Sequence, residues 1–325
     1  KIGAENADGV LEYVGMGKYY LQRPQLKGDL AKLELKAVNL LGVLAESTYN
    51  KGVYKTAALT EFVEDIATDA GVDVAYPASW ANVVMTAYIP SVSHAEAFRM
   101  LAQATGTLLR VSRDDVVTFS AIGAGVLQTL TAADYKMGNG FAPSDDEIIN
   151  TVAVEVSTLS VETAATELAK ADGAGTHYLK YDPSTEHSAA VVGGSITSQE
   201  YYADNAVITI TGGTVTVSGK KIATGKSTVT VTSAQPNDRR YVYEVRAQPF
   251  IQSANAQAVA THYLALKATH RKTAKVQYRG YPYLETGDVL AFEVGGAETQ
   301  PFILGKNALK LAGGMTGTLE ARERP

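Results

Sequence analysis

Few side chains in this chain have the types and spacing of a metal site. There are five histidines and no cysteine, and no two histidines stand at the i, i+4 spacing of a helical zinc site. His262 and His270 are eight residues apart and would share one helix face, as surface histidines also do. We therefore assign no metal ligand; the other histidines are His94, His177 and His187.

The glycine-rich segments lack the context of nucleotide-binding loops. Gly123–Gly125 and Gly173–Gly175 do not continue as G-x-G-x-x-G. Gly225–Ser227 has the ending of a phosphate-binding loop, but Lys220 stands where its first glycine belongs and no helix is expected to follow. We interpret it as a turn before a strand. Because no Gly-x-Ser-x-Gly elbow occurs either, we assign no catalytic residue and no cofactor.

Acidic residues form two groups. Glu61, Asp65 and Asp69 fall on one face of a predicted helix, which indicates a solvated face, with a surface for a basic partner as the alternative. The cluster at residues 145–147 is a carboxylate pair by composition only, and a solvated loop is the favoured interpretation.

Basic residues gather between the end of a predicted helix and the next strand. Their first members suit a helix C-terminus, where cations offset the dipole, and the alternative is a patch facing DNA or an acidic subunit. The group comprises Lys267, Arg271, Lys272, Lys275 and Arg279.

Composition favours a β-rich chain of two or three domains. The 325 residues are 46% hydrophobic and 19% charged, with many glycines and tyrosines. The net charge of -5 gives no reason to expect specific nucleic acid binding. No apolar run reaches about 18 residues, so we expect no membrane insertion. The chain begins at Lys1 rather than Met, so we expect it to be part of a longer product.

The first 122 residues predict a hairpin and a small α/β unit. Strands at 19–27 and 30–41 flank a turn at 28–29. A helix from Leu59 should end at Gly71, and one capped by Ser93 in a capping box with Glu96 should end at Gly106. Strands are expected at 72–76 and 83–89, and a hairpin at 107–112 and 116–122.

The rest of the chain predicts a linker, a β-region and an α+β end. Residues 123–145 read as the linker, and 163–171 as a short helix or a flexible excursion. Val207–Thr211 and Thr214–Ser218 flank the two-residue turn Gly212-Gly213 of a predicted β-meander that includes 227–233. A turn at 235–238 closes it. A strand at 241–248, an alanine-rich helix at 253–270 and strands at 274–279 and 289–294 follow.

Five segments, in this order, resemble tailed-bacteriophage or prophage tail proteins of the baseplate hub. ELKAVNLLGVLAESTYNKGVYKTAALTEFVEDIATDAGV (34–72) has their Ala-x-Asn-x-Leu strand end and Tyr-x-x-Gly-x-Tyr element before a helix. AYIPSVSHAEAFRMLAQATGTLLRVSRDDVVTFS (87–120) is similar to their capped helix and hairpin with Arg at the turn. YYADNAVITITGGTVTVSGKKI (201–222) resembles their middle β-region, and YLETGDVLAFE (283–293) and LKLAGGMTG (309–317) their closing motifs.

This resemblance implies an α+β, β-rich fold with barrel-like tube-type domains, a small α/β insertion and a β-meander. The expected domains are a partial N-terminal β region (1–55), an α/β domain (56–125), a β-rich middle domain (126–240) and a C-terminal α+β tube-like domain (241–325). It also implies a homo-oligomer, with a trimer favoured, that contacts other tail and baseplate proteins.

The expected function is non-enzymatic: a structural component in the virion tail, assembled in the bacterial cytoplasm and encoded by a prophage. It would link the tail tube to the tip that contacts the host. The first alternative is a module that binds a glycan or protein receptor on the host cell surface. The second is the non-catalytic part of a tail-associated cell-wall hydrolase.

Overall fold

The computed structural model describes the chain apart from residues 1, 6–10, 23–24, 28–31, 122–124, 132, 136–140, 144–148, 234–240, 268–271, 295–297, 312–314 and 325. Strands dominate these described residues, which confirms a β-rich α+β fold. In this part of the chain, no helix combines the length and the apolar character needed to cross a membrane.

The N-terminal residues form short antiparallel ribbons. The strands are β1 (Ile2–Glu5), β2 (Leu11–Val14), β3 (Tyr20–Leu21), β4 (Gln25–Lys27), β5 (Lys32–Glu34) and β6 (Ala37–Val38). The pairs are β1 with β2, β3 with β6 and β4 with β5, so the predicted hairpin is confirmed. Its second strand ends earlier than predicted, because Asn39 caps helix α1 (Leu40–Leu44) through the Gly42 N–H. Pro24 and the turn at 28–29 lie outside the described residues.

Both helices predicted for the α/β unit are confirmed with their glycine ends. Helix α2 (Leu59–Ala70) and helix α3 (His94–Thr105) each end at a left-handed glycine, Gly71 and Gly106. The Ser93 hydroxyl accepts the Glu96 N–H at 3.2 Å, as the predicted cap requires. Local capping therefore sets both ends of α3.

Short ladders surround these helices. The strands are β7 (Thr48–Tyr49), β8 (Lys55–Ala58), β9 (Val74–Ala75), β10 (Val84–Ala87), β11 (Val92–Ser93), β12 (Leu108–Val111) and β13 (Val117–Ser120), with a 3-10 helix at Ala78–Asn82. Antiparallel pairs join β7 to β11, β8 to β10 and β12 to β13, and β9 runs parallel to β13. The predicted hairpin is confirmed as β12–β13.

The linker predicted for residues 123–145 is wrong over two segments. Strands β14 (Gln128–Leu130) and β15 (Phe141–Pro143) both join the C-terminal sheet. Each has three residues, too few for an alternating pattern to stand out. Their partners are far away in sequence, so pairing rather than local propensity makes them strands. The acidic cluster at 145–147 lies outside the described residues.

One long strand pair forms the spine of the middle region. β16 (Thr151–Asp172) is antiparallel to a second strand, at Thr214–Thr232, along most of its length. The helix predicted as one option for 163–171 is wrong, because this segment pairs with residues 214–220 despite its alanines. Gly225–Ser227, predicted as a turn, lies inside the second strand opposite residues 156–158.

The distal part of this pair belongs to a small β-sandwich. Its other strands are β17 (Gly175–Lys180), β18 (Ser184–Val192), β19 (Ile196–Tyr201) and β20 (Asn205–Ile210), and the strand at Thr214–Thr232 is β21. One sheet contains β18, β21 and β16, and the other has the order β17-β20-β19. The predicted meander is therefore wrong, because Gly212-Gly213 carries the chain from one sheet to the other.

The C-terminal part adds a strand, a helix and a sheet of six strands. Strand β22 (Val242–Val245) runs parallel to β16, and α4 (Ala256–Lys267) packs on β16 and β21. The sheet has the order β14-β24-β25-β26-β23-β15, formed with β23 (Lys272–Tyr278), β24 (Val289–Val294), β25 (Glu298–Leu311) and β26 (Met315–Glu323). Pro301 and Gly305 interrupt the alternation of apolar and polar residues in β25. The sequence therefore predicts neither β25 nor β26. Gly287, with a φ of 94°, lies in the turn before β24.

The largest hydrophobic core crosses much of the chain. It contains Phe62 and Phe98 from the α/β unit together with Val154, Phe250 and Val259. Separate cores fill the C-terminal sheet and the sandwich. The four predicted domains, 1–55, 56–125, 126–240 and 241–325, stay a prediction.

We expect Gly213→Ala to destabilise the sandwich. Gly213 has a φ of 78°, and an added Cβ would lie 2.0 Å from the Val192 carbonyl oxygen. The loss should be about 2 kcal/mol or more in the free energy of unfolding. Gly225→Ala is the matched control, because its added Cβ meets nothing closer than 3.6 Å. Chemical denaturation measures the free energy of unfolding of both variants. Equal values would contradict the geometry in which Gly212-Gly213 carries the chain from one sheet to the other.

Candidate functional site

A serine, a histidine and an aspartate meet where α2, α3 and β7 converge. The Ser47 Oγ lies 2.9 Å from His94 Nδ1, and the Asp69 Oδ2 lies 3.1 Å from His94 Nε2. The other Asp69 oxygen is 2.7 Å from the Lys51 Nζ. These residues are far apart in sequence and follow no motif, so sequence reasoning missed the group.

This geometry has the elements of nucleophilic catalysis but serves packing. With Asp69 ionised, His94 donates its Nε2–H to the carboxylate and accepts the Ser47 O–H at Nδ1. The His94 side chain is only 5% exposed, and the Ser47 carbonyl accepts the His94 N–H at 3.1 Å. Tyr49 packs its ring edge against the imidazole. The chain of hydrogen bonds therefore fastens the start of α3 to β7 and to the end of α2.

The charge of Asp69 stabilises this junction. Burial alone would raise the pKa of Asp69, but the hydrogen bonds from Lys51 and His94 outweigh burial and hold the pKa below its ordinary value. Lys51 in turn has a raised pKa because of the same hydrogen bond to Asp69. The pair is therefore charged around neutral pH.

The acidic stripe on α2 is matched by lysines of the same chain. Lys55 Nζ lies 2.8 Å from Asp65 and 3.8 Å from Glu61, while Lys51 holds Asp69. Because lysines of the same chain already pair with the stripe, the structure favours the solvated face over a surface for a basic partner.

The predicted basic group is dispersed in the same way. Lys267 lies 4.4 Å from the centre of the Tyr243 ring, and Lys275 lies 3.5 Å from Glu320. Lys272 donates to the Gln300 side chain at 3.0 Å. Arg271 lies outside the described residues. These partners leave little reason to expect a concentrated patch for DNA.

The remaining histidines have individual roles. Burial lowers the pKa of His187, which stacks on Tyr201 and contacts Ser184, and likewise lowers the pKa of His262. His177 lies 2.9 Å from the Gly173 carbonyl. His270 lies outside the described residues, and within them no three potential metal ligands gather.

Arg113 joins three parts of the chain at the tip of the β12–β13 hairpin. Its Nε donates to Glu285 at 2.7 Å, and its two terminal nitrogens donate to the carbonyls of Gly15 at 2.9 Å and Pro282 at 2.6 Å. Arg110 adds contacts to Glu285 at 3.7 Å and to Asp288 at 3.5 Å. This arginine clamp borders a crevice of about 380 Å³ and connects the α/β unit to the C-terminal sheet.

A second joint fastens the base of the sandwich to the α/β unit. Ser91 donates its N–H and its hydroxyl to the two oxygens of Asp204, at 2.7 and 3.0 Å. The Asn205 amide donates to the Asn50 carbonyl at 2.7 Å. The Gly52 carbonyl accepts the Ala203 N–H, and any Cβ at Gly52 would lie 1.8 Å from the Ile89 oxygen. Gly52 belongs to the Tyr-x-x-Gly-x-Tyr element, so the close approach explains its glycine.

Exposed apolar side chains on the body of the molecule include two groups. Leu21 on β3, Tyr19 just before that strand and Leu35 before β6 form one group. Val126 and Leu127, beside β14 at the edge of the six-stranded sheet, form the other. An open strand edge next to apolar side chains is a surface suited to pairing with another chain.

Comparison of the structure finds similar proteins, whereas comparison of the sequence does not. No protein-family model matches the sequence, and no curated protein matches it. Prophage tail protein gp18 from Listeria monocytogenes EGD-e matches 95% of this chain and 78% of its own, with a TM-score of 0.51 at 11% identity. The chain has the fold of phage tail proteins.

Two further solved structures support this likeness of fold. The 43 kDa tail protein of prophage MuSo2 from Shewanella oneidensis has a TM-score of 0.52 at 10% identity, with 96% of this chain and 81% of that one covered. The tail protein from Neisseria meningitidis MC58 has a TM-score of 0.52 at 11% identity, covering 97% and 81%. Each match extends over nearly the whole chain, so the fold is shared across its sheets and its α/β unit.

Acid should weaken the Asp69 junction. The folded pKa of Asp69 lies below its unfolded value, so its stabilising contribution is present above about pH 4 and is lost as the pH falls through the folded pKa. Asp69→Asn should therefore be less stable at neutral pH and should lose less stability on acidification. Denaturant titrations from pH 7 to pH 3 measure this. Asp182→Asn, at an exposed aspartate, should leave the pH profile unchanged; an unchanged profile in Asp69→Asn would contradict the assignment.

Removal of the arginine clamp should loosen the β12–β13 hairpin from the C-terminal sheet. Arg113→Ala leaves Glu285 and two carbonyls without this donor, and we expect a loss of about 2–3 kcal/mol in unfolding free energy. Hydrogen exchange at residues 282–288 should speed up at the same time. Arg99→Ala is the control, because its exposed pair with Glu96 is worth at most about 0.5 kcal/mol. Equal losses of unfolding free energy in Arg113→Ala and Arg99→Ala would contradict the stabilising role of the clamp.

Proposed function

We propose that this chain is a non-enzymatic structural component of a phage or prophage tail, at the baseplate or tail tip, where it links the tail tube to the host-contacting tip. The observation that carries the proposal is the match of fold with tail proteins from Listeria, Shewanella and Neisseria over at least 95% of this chain. Its place is then the virion tail, after assembly in the bacterial cytoplasm from a prophage gene.

The proposed assembly is a homo-oligomer, with a trimer favoured, that also contacts other tail proteins. Within the described residues, the six-stranded sheet has β14 and β15 at its two ends. A ring in which neighbouring protomers cover these edges would satisfy their free N–H and C=O groups and bury Val126 and Leu127. The barrel-like, tube-type character of this sheet belongs to the same proposal.

The geometry of the polar groups supports a structural role over hydrolysis. Ser47, His94 and Asp69 form the arrangement nearest to a catalytic triad, but the histidine is buried and the group holds helices in place. A role as the non-catalytic part of a cell-wall hydrolase remains the second alternative. Zymography on bacterial cell walls tests the non-enzymatic proposal itself, and a lytic band from the purified chain would overturn it.

Light scattering across a concentration series, followed by negative-stain imaging, tests the assembly. A trimer or a hexamer with a central hole supports the tail-tip proposal. Particles without a ring when the chain is mixed with a cognate tail tube would argue against it.

Leu127→Glu should weaken this assembly. A charge beside the open edge of β14 would be buried against the neighbouring protomer, at several kcal/mol per unpaired charge, so we expect the midpoint concentration of assembly to rise about tenfold or more. Val192→Glu is the control, because Val192 is even more exposed but lies in the sandwich, away from this edge. Loss of the oligomer in both variants, or in neither, would contradict an interface at β14.

A further inference from the structure

The outer face of the second sandwich sheet carries a large exposed aromatic side chain on its edge strand β17. Leu179 and Ile208 point inward into the sandwich core. Side chains alternate along a strand, so Tyr178 on β17 and Val207, its partner on β20, point outward. The Tyr178 side chain is 74% exposed. A large aromatic ring therefore lies on the outer surface of the edge strand β17, beside Val207 on the central strand β20.

Hydroxyl groups occupy the end of this face nearest the sandwich tip. Thr176 pairs with Thr209 across the strands, and their hydroxyls lie 2.9 Å apart. Ser198 on β19 pairs with Thr209 from the other side. Three hydroxyl-bearing residues thus stand side by side on β17, β20 and β19 next to the ring, and each hydroxyl can donate and accept.

One positive and one negative charge also lie on this face, Lys180 at the end nearest the base of the sandwich and Glu200 on β19 in the same row as Tyr178 and Val207. Lys180 follows Tyr178 by two residues on β17, so both point to the same side. Glu200 pairs with Val207 from β19 and accepts the Tyr202 hydroxyl at 2.6 Å. The two charges balance, so the face as a whole does not favour an anion or a cation.

The size of the face excludes a stable protein partner. A standard protein interface takes roughly 800 Å² and about 20–30 residues from each side, whereas this three-stranded face presents only a few side chains in each of its short strands. Its apolar content is limited to the Tyr178 ring and Val207. A small ligand that offers one apolar face and many hydroxyls fits this surface better than a second protein.

We propose that this face, the Tyr178 platform, binds a neutral glycan. The C–H face of a sugar ring would lie on the Tyr178 ring, as aromatic side chains with a polar edge favour partners that are apolar on one side and wet on the other. The sugar hydroxyls would exchange hydrogen bonds with Thr176, Ser198 and Thr209. Lys180 and Glu200 would bind hydroxyls of a neighbouring sugar unit, as donor and acceptor.

The position of the platform leaves it accessible in the proposed tail assembly. The sandwich is fastened to the α/β unit through Ala203, Asp204 and Asn205 at its base. The proposed subunit edge at β14 belongs to the C-terminal sheet instead. The glycan site and the assembly therefore use separate surfaces. Either proposal can be contradicted without contradicting the other.

Saturation-transfer NMR on the full chain tests the proposal with four neutral probes: maltohexaose, mannohexaose, cellohexaose and chitohexaose. We expect at least one to receive saturation. Tyr178→Ala should weaken its binding about tenfold or more, the effect of truncating a central aromatic contact. Tyr178→Phe should keep most of the affinity, because it retains the ring.

Tyr19→Ala is the matched control. Tyr19 is also strongly exposed, at 61%, but it lies just before β3 rather than on the sandwich, so this variant should bind as the parent does. No transfer to any of the four probes would overturn the proposal. Binding that survives Tyr178→Ala, or that is lost equally in Tyr19→Ala, would also overturn it. None of these outcomes depends on the oligomeric state, so the test is distinct from that of the tail assembly.

Discussion

The ladder between β16 and β21 is the constraint on which the rest of the structure depends. At one end Val152 and Val154 face the main core opposite Val231 and Val229, and at the other end Val215 and Val217 face the sandwich core. Side chains alternate between the two faces of a strand, so a slip of one residue would turn the apolar side chains away from both cores at once. Each core thus specifies the register at its own end of the ladder, with two register shifts between them, at Val161/Ala165 and Glu167/Ala169, and these registers determine where the sandwich stands.

Hydrogen bonds between distant elements add to the ladder in holding the two β regions in place. The ladder alone would let a two-stranded connection twist, because such ribbons have little stiffness of their own. Asp204 receives two hydrogen bonds from Ser91, and Asn205 donates to Asn50, so the base of the sandwich is bound to the α/β unit as well. At the other side of that unit, Arg113 binds Glu285 of the C-terminal sheet. The α/β unit therefore connects the two β regions, and its local capping matters for the whole chain.

The parts of the fold that sequence could predict are those whose causes are local. Gly71 and Gly106 end their helices through their own left-handed backbone, and Ser93 caps α3 three residues from its partner. Local signals failed where distant pairing decides. Residues 163–171 have helix-forming alanines but pair with β21, and Gly212-Gly213 marks a turn without indicating which strands it joins.

The same distinction explains why the polar groups could not be assigned from sequence. Ser47, Asp69 and His94 meet only after β7, α2 and α3 have packed together, and no spacing announces their contact. Once they meet, their hydrogen-bonding capacity is largely used between elements of the chain, with Lys51 holding the second oxygen of Asp69. A catalytic group must keep part of its hydrogen-bonding capacity free for a substrate. Ser47, Asp69 and His94 are therefore employed as a joint between elements, and the exposed Tyr178 differs from them because its ring is turned outward, away from the sandwich core.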